Sequence, residues 1–177
     1  MSGAKQQGHL DGLCGVYAVV NSFLKLNAGY ENEIFQACCR ALSRSRWPST
    51  LWEGTSLRDL ETMIKFCLGE VEGLDRFHVS YPFRANQPKS NDEFWQAFDR
   101  LFAENREGKS AIVGLTKPDL HWLVALPKRS KIEFIDSDRL SSNTKVPRED
   151  IYAGDRRTNG QTYCVVRKEV IIIEKVA

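Results

Sequence analysis

The sequence has little of several features that assign a protein to a class at once. Its most apolar run, residues 170–173, is four residues long, whereas a membrane-spanning helix needs about 20 apolar residues. The first seven residues lack the apolar core of a secretory signal. We therefore expect a protein without a membrane segment, located in the cytoplasm.

An excess of charge of one sign is also lacking. The chain has 25 Lys+Arg against 23 Asp+Glu, a formal net charge of +2. A protein that binds nucleic acid or an acidic membrane surface usually carries a marked basic excess. Composition therefore does not favour nucleic acid as a partner, and it leaves the oligomeric state open.

Cysteine is present but sparse, with five residues in 177. Small secreted scaffolds that depend on disulfides have a higher cysteine density and usually an even number. A complete disulfide framework is therefore not expected. At least one thiol should be free or paired with another molecule.

Apolar side chains recur at helical spacing through the first hundred residues, which predicts four helices. The first should begin near Cys14 and end near residues 27–29; the others cover residues 34–42, 57–68 and 94–102. Short β-rich runs follow at 111–115, 121–126, 131–136, 162–166 and 170–174. Helices followed by strands indicate an α+β fold with antiparallel strands on a helical layer. No linker or repeat divides the chain, so we expect one domain spanning residues 1–177.

The segment at residues 7–15 places Cys14 where a glycine-containing loop turns into the first helix. The free N–H groups and positive dipole end of a helix N-terminus stabilise a thiolate, which makes the cysteine a better nucleophile. The same N–H groups can hold a developing oxyanion. The competing interpretation is that Cys14 is buried and only fills a small gap in the core. A functional role therefore needs support from a second segment of the chain.

That segment is the predicted hairpin at residues 121–136. If a four-residue loop joins the two strands, Leu126 faces Lys131 and His121 lies directly opposite Asp136. The carboxylate would orient the imidazole and leave its other nitrogen to act as a base toward the thiol. A one-residue slip would place the two side chains on opposite faces. Taken together, Cys14, His121 and Asp136 supply a nucleophile, a base and an orienting group.

These motifs resemble the papain-fold cysteine peptidases. The similarity rests on Cys14-Gly15 at the start of the first helix with Asn21 inside it, then Gly-Thr-Ser at 54–56, His-Trp-Leu-Val at 121–124 and Ile-Asp-Ser at 135–137. It extends in order over residues 6–138. The chain is most similar to a compact bacterial group related to the peptidases that remove double-glycine leaders from bacteriocins.

The resemblance implies a papain-like fold in which the cysteine helix packs on an antiparallel sheet, with a Cys-His-Asp triad across the cleft. In that family a glutamine six positions before the cysteine completes the oxyanion hole with the cysteine N–H. Here that position is Gly8, and Gln7 is the neighbouring glutamine. We assign the role to Gln7, with Asp11 or a second backbone N–H as alternatives.

The other candidate site residues are supported by fewer observations. His9 could compete as the base, but no carboxylate is placed to orient it. No cysteine or histidine pair has the spacing of a zinc site, and no glycine loop has the lysine of a phosphate-binding motif, so we expect no metal and no cofactor. Trp47 and Trp52 lie in a segment predicted to be a loop; with Trp122 they are our candidates for a wall of the substrate cleft.

The sequence thus predicts a cysteine peptidase or amidohydrolase that cleaves a peptide or isopeptide bond through a thioester, with a protein or peptide as its substrate. Two alternatives stay open. The same three residues could serve a glutamine deamidase, a transglutaminase or an acyltransferase, because cleft shape decides what reaches the thioester. The chain could also be a catalytically silent module that binds another protein.

Overall fold

A computed structural model describes residues 4–5, 12–138, 143–154 and 160–176. The helices are α1 (Cys14–Lys25), α2 (Glu31–Ala41), α3 (Trp47–Glu53), α4 (Leu57–Glu70) and α5 (Asn91–Leu101), with 3-10 turns at Arg44–Arg46 and Arg148–Asp150. The strands are β1 (Phe77–Ser80), β2 (Lys109–Lys117), β3 (His121–Lys128), β4 (Lys131–Ile135), β5 (Asn143–Pro147), β6 (Ile151–Ala153) and β7 (Tyr163–Lys175).

The seven strands form one sheet in the order β1-β7-β2-β3-β4-β5, and β6 pairs with β7 beside this path. Each pair along the path is antiparallel, and the short β6 runs parallel to β7. The predicted α+β class, with helices followed by an antiparallel sheet, is confirmed.

Helices cover both faces of the sheet. Side chains alternate along a strand, so Ile112 of β2 joins the core formed with α1, α2 and α4. Its neighbours Ala111 and Val113 join a second core, to which α5 contributes Phe94, Trp95 and Phe98. The sequence predicted one helical layer; the alternation of apolar side chains on β2 and β3 supports two.

Helix α1 is the element that packs directly on the middle of the sheet. Its predicted apolar face is buried, including Val16, Val19 and Phe23, and it contacts β2 and β3. The hydroxyls of Ser22 and Ser110 form a buried hydrogen bond between α1 and β2. The predicted packing of the cysteine helix on the sheet is therefore confirmed.

A capping box starts α4. The Ser56 hydroxyl accepts a hydrogen bond from the Asp59 N–H, and the Asp59 carboxylate accepts one from the Ser56 N–H. Arg46 also donates to Asp59 at 2.7 Å. Partial burial disfavours the charged carboxylate, but the hydrogen bonds from Ser56 and Arg46 outweigh it and lower the pKa of Asp59. This cluster ties the segment before α3 to the start of α4.

Several short elements differ from the prediction. Residues 47–53 form helix α3, with Pro48 in its first turn, where proline is tolerated; the sequence predicted a loop there. Strands β1, β5 and β6 have five residues or fewer and were not predicted. The two runs at 162–166 and 170–174 form one irregular strand, β7.

The predicted register of the β3–β4 hairpin is wrong. Lys128 pairs with Lys131 and Val124 with Ile135, so the loop has two residues rather than four, and Arg129 in it adopts a φ of 48°. The shift relative to the prediction is two residues. Because side chains alternate with a period of two, His121 and Asp136 stay on the same side, offset along the strands rather than directly opposite.

No helix in the described part of the chain combines the length and the apolar character that crossing a membrane requires.

Two helical glycines provide a test of this packing. A Cβ at Gly15 would collide with the side chain of Thr55 and lie 2.8 Å from Leu60 Cδ1, whereas a Cβ at Gly69 meets nothing within 4 Å. We expect Gly15→Ala to destabilise the protein by about 1–3 kcal/mol through overpacking. Gly69→Ala should stabilise it by about 0.5–1 kcal/mol, because alanine restricts the unfolded chain. Urea unfolding followed by circular dichroism measures both; equal stability changes for the two variants would contradict the close approach at Gly15.

Candidate active site

The site lies where the first residue of α1 meets the first residue of β3. Cys14 begins α1 and His121 begins β3, and α1 packs against β3. Cys14 is only 7% exposed, yet it lines a surface cavity together with His121. Cys14 is therefore largely shielded from bulk solvent and contributes to the lining of one cavity.

His121 is held by a carboxylate. Its Nε2 lies 2.7 Å from Asp136 Oδ1, and the N–H of Asp138 donates to the same oxygen at 2.9 Å. Asp136 is buried and follows directly after the end of β4. The backbone turn thus positions the carboxylate, and the carboxylate positions the ring.

The thiol of Cys14 lies beside the imidazole and contributes to its protonation. Because Nε2 is occupied by Asp136, Nδ1 is the ring nitrogen left to meet the sulfur. Burial opposes a positive charge on the ring, but the hydrogen bonds and negative charges of Asp136 and Cys14 outweigh it and raise the pKa of His121 to about 10. An imidazolium beside the sulfur stabilises a thiolate, the nucleophilic form of cysteine.

None of Cys38, Cys39 and Cys67 lines this cavity. Cys38 and Cys67 are fully buried with their sulfurs 3.6 Å apart. The hydrogen bond with Cys67 and burial raise the pKa of Cys38 well above its usual value, and burial raises the pKa of Cys39. A raised thiol pKa means little thiolate at neutral pH, which disfavours attack by Cys38 or Cys39.

The cavity in front of Cys14 has a volume of about 210 Å³. Its walls come from the end of α3, the start of α4, both ends of the β2–β3 connection and an excursion of β7. The described lining residues are Cys14, Glu53, Gly54, Thr55, Ser56, Leu57, Leu115, Leu120, His121, Trp122 and Glu169.

The wall at 54–56 is joined to the sheet by Trp122, whose indole N–H donates to the Thr55 carbonyl at 2.8 Å. Thr55 also lies against Gly15, which has no side chain to displace it. No residue in the described part of the chain forms a hydrogen bond with the buried Thr55 hydroxyl. The motif Gly-Thr-Ser therefore builds one side of the cleft, close to the start of α1.

Asn21 holds the N-terminal segment onto α1. Its buried side-chain amide accepts a hydrogen bond from the Lys5 N–H at 2.7 Å and donates to the Lys5 carbonyl at 3.0 Å. Lys5 also pairs with Glu31 at 2.8 Å. These contacts anchor the chain just before residues 6–11, a segment that lies outside the described residues and includes Gln7, His9 and Asp11.

The structure thus brings together Cys14, His121 and Asp136, and it places Trp122 in the cavity wall. Trp47 and Trp52 do not line the cavity. The Trp47 indole N–H donates to the Cys39 carbonyl at 3.0 Å and the ring packs on the core, while Trp52 is 76% exposed. The assignment of the oxyanion role to Gln7 stays a prediction.

Sequence reasoning missed Glu53, Leu120 and Glu169 as cavity residues. Leu120 directly precedes His121, so its position at the rim could have been inferred. The position of Glu169 could not have been inferred, because that position depends on an irregularity in the pairing of β2 with β7. Within the described ranges, no group of three or more His, Cys, Asp or Glu side chains is arranged to hold a metal ion.

Comparison with known proteins gives limited similarity. No family model matches the chain, and no curated protein matches it. Among solved structures, it is similar to the crystal structure of Pseudomonas avirulence protein AvrPphB, at 11% sequence identity and a TM-score of 0.37, over 85% of this chain and 82% of that one. The relation to the peptidases that remove double-glycine leaders therefore stays a prediction.

The charge state of His121 is directly testable. We expect its ring to remain an imidazolium at neutral pH and to lose the proton as pH rises through about 10. In Cys14→Ala the titration should move to lower pH, because a hydrogen bond and a negative charge that stabilise the imidazolium are lost. ¹⁵N-edited NMR of the histidine rings measures both values, with His121→Ala to assign the signal. A wild-type His121 that titrates near 6.5 would contradict the arrangement.

Proposed function

We propose that this chain is a papain-like cysteine hydrolase that cleaves an amide bond, most simply a peptide or isopeptide bond. The observation that carries the proposal is that His121, held by Asp136 at 2.7 Å, lines the same cavity as Cys14, the first residue of a helix. These are the relative positions that a nucleophile, a proton carrier and an orienting group need.

In the proposed reaction, Cys14 Sγ attacks the carbonyl carbon of the amide, and the carbonyl oxygen becomes an oxyanion. Free N–H groups at the start of α1, which include that of Cys14, are suited to hold it; Gln7 is the proposed second donor. His121 gives its proton to the leaving nitrogen, the C–N bond breaks and a thioester forms. His121 then takes a proton from water as the water attacks the thioester; the C–S bond breaks, and the thiolate and a carboxylic acid, which loses its proton to solvent, are released.

Asp136 keeps the ring in one orientation and one protonation pattern through both steps. The Asp138 N–H in turn donates a hydrogen bond to Asp136. The shielded location of the pair supports the same conclusion, because hydrogen bonds and charges act more strongly where water is excluded.

Replacement of the three residues tests the proposal. Cys14→Ala should abolish labelling by a peptidyl chloromethyl ketone, because the attacking atom is gone. His121→Ala should slow labelling about 10²–10⁴-fold, the usual contribution of a positioned proton carrier, and Asp136→Asn should slow it by at least about tenfold through loss of ring orientation. Mass spectrometry of the intact protein measures the rate.

Cys39→Ala is the matched control, because it removes a partly accessible thiol outside the site. It should be labelled at the wild-type rate. Circular dichroism establishes that each variant is folded. Labelling of folded Cys14→Ala at the wild-type rate would refute the proposal.

The natural substrate can be sought by comparing the proteomes of cells that contain the wild-type protein or Cys14→Ala. Hydrolysis of a peptide bond creates new termini that depend on Cys14. Deamidation of glutamine through the same thioester would instead add about 1 Da without a new terminus. Absence of any Cys14-dependent change, together with an unlabelled Cys14, would favour a protein that only binds.

A further inference from the structure

A second surface cavity, with a volume of about 430 Å³, lies beside the end of β3, whereas His121 of the active site begins that strand. We call it the basic pocket, and the charged residues of its lining are Arg106, Lys128, Arg129, Lys131, Lys145 and Glu107. These are five of the 25 Lys+Arg and one of the 23 Asp+Glu of the chain. Outside the pocket, acidic residues therefore slightly outnumber basic ones, and the excess of positive charge is concentrated at this one place.

Strand pairing brings the three lysines of the pocket together. Lys128 lies directly opposite Lys131 in the ladder between β3 and β4. Lys145 of β5 lies opposite Glu133, which follows Lys131 by two residues. Because side chains two residues apart on a strand share a face, the three lysines lie on the same face of the sheet. The other face of β4 and β5 is apolar and is buried in the core with α5 through Ile132, Phe134 and Val146.

Most of these basic side chains are not neutralised by the protein itself. Lys128 Nζ lies 3.7 Å from a carboxylate oxygen of Glu133. The other four are exposed and form no ion pair with any residue in the described part of the chain: Arg106, Arg129, Lys131 and Lys145. By contrast, Arg46, Arg84 and Arg148 are each paired with a carboxylate. The basic side chains of the pocket are therefore available to an anion from outside.

The β3–β4 hairpin carries these charges at a cost to its own stability. Like charges directly opposite each other on antiparallel strands are destabilising, and Lys128 and Lys131 are the pair that closes the two-residue turn. Arg129 in that turn has a φ of 48°, a conformation that glycine adopts more readily than arginine. The stability of the hairpin alone therefore favours other residues at these positions, and binding of an anion supplies a reason for basic ones.

The size and lining of the basic pocket distinguish between classes of anionic partner. Three adjacent strands span roughly 10 Å, the length of about three extended residues. The lining contains no aromatic side chain on which a nucleic-acid base could stack. The large apolar side chains that are exposed in the described part of the chain lie outside it, so none is placed there to enter a membrane: Tyr30, Trp52, Leu120 and Val176. A short run of carboxylates fits these properties better than a nucleic-acid strand or a lipid surface.

We propose that the basic pocket binds a short acidic segment of another protein, about three or four consecutive Asp or Glu residues. Arginine and lysine donate charge-assisted hydrogen bonds to carboxylates, and five such side chains converge here. From His121 to Lys128, β3 extends over roughly 23 Å, so a partner bound at the pocket is held well away from the catalytic cavity. The inference goes beyond the proposed function and does not rest on it, because Cys14, His121 and Asp136 do not line the pocket.

Fluorescence anisotropy with two labelled peptides tests the inference. One peptide carries four consecutive glutamates flanked by glycine and serine, and its control carries four glutamines instead. At low ionic strength, the wild-type protein should bind the glutamate peptide at least about fivefold more tightly, the ratio that about 1 kcal/mol of ion pairing produces. The difference should decrease as salt is added.

Charge-reversal variants locate the binding site. Arg129→Glu combined with Lys131→Glu should weaken binding of the glutamate peptide at least about fivefold. The matched control, Arg44→Glu combined with Lys65→Glu, makes the same change in net charge at exposed positions outside the pocket and should keep the wild-type affinity within about twofold.

Arg129→Gly separates binding from folding. Glycine removes one charge and tolerates the positive φ, so this variant should bind the glutamate peptide more weakly and yet unfold at a higher urea concentration than the wild type. Circular dichroism measures the unfolding. Weaker binding in this variant cannot then be attributed to a damaged fold.

Three results overturn the inference. The first is equal binding of the two peptides by the wild-type protein, and the second is an equal loss of affinity in the two double variants. The third comes from two further ligands, vesicles that contain phosphatidylserine and a single strand of oligothymidylate. If either binds through Arg129 and Lys131 and the glutamate peptide does not, the pocket has a different partner. Labelling of Cys14 tests the proposed function separately, so failure of one proposal is distinguishable from failure of the other.

Discussion

The packing of α1 against β2 and β3 is the contact on which the site depends. Cys14 and His121 are 107 positions apart in the sequence, and each is the first residue of its element. Apolar side chains of α1 and the Ser22–Ser110 hydrogen bond fix the helix on the sheet. Because protein interiors are closely packed and deform little, a helix fixed in this way holds its first residue at one place relative to β3.

Gly15 and the hydrogen-bonded segment at residues 54–56 shape the space around the start of α1. Gly15 lets the 54–56 segment approach the helix, and the Trp122 indole holds that segment by its backbone. The capping box at Ser56 and Asp59 then turns the chain into α4, away from the cleft. One wall of the cavity is thus formed by the start of α4, whose backbone conformation is fixed by these hydrogen bonds.

Electrostatic interactions and irregularities of the sheet determine the protonation of His121 and the positions of the carboxylates near the site. The Asp136 carboxylate makes a protonated His121 favourable in a place where burial would disfavour it. Both Asp136 and Glu169 lie where the regular ladder ends or is interrupted. A regular antiparallel strand directs its side chains strictly up or down, so side chains that point into an edge cavity come from such interruptions.

The sequence by itself determined four of the five described helices, the longer strands and the α+β class, because helical and strand periodicity are local properties of the chain. It also predicted the pairing of His121 with Asp136. That pairing survived a wrong register because a shift of two residues keeps side chains on the same face. Only the tertiary structure decided which helix covers which face of the sheet, that residues 47–53 form α3, and that Glu53, Thr55 and Glu169 share a cavity with Cys14. Those features depend on how distant segments pack together, which the local pattern of apolar residues does not encode.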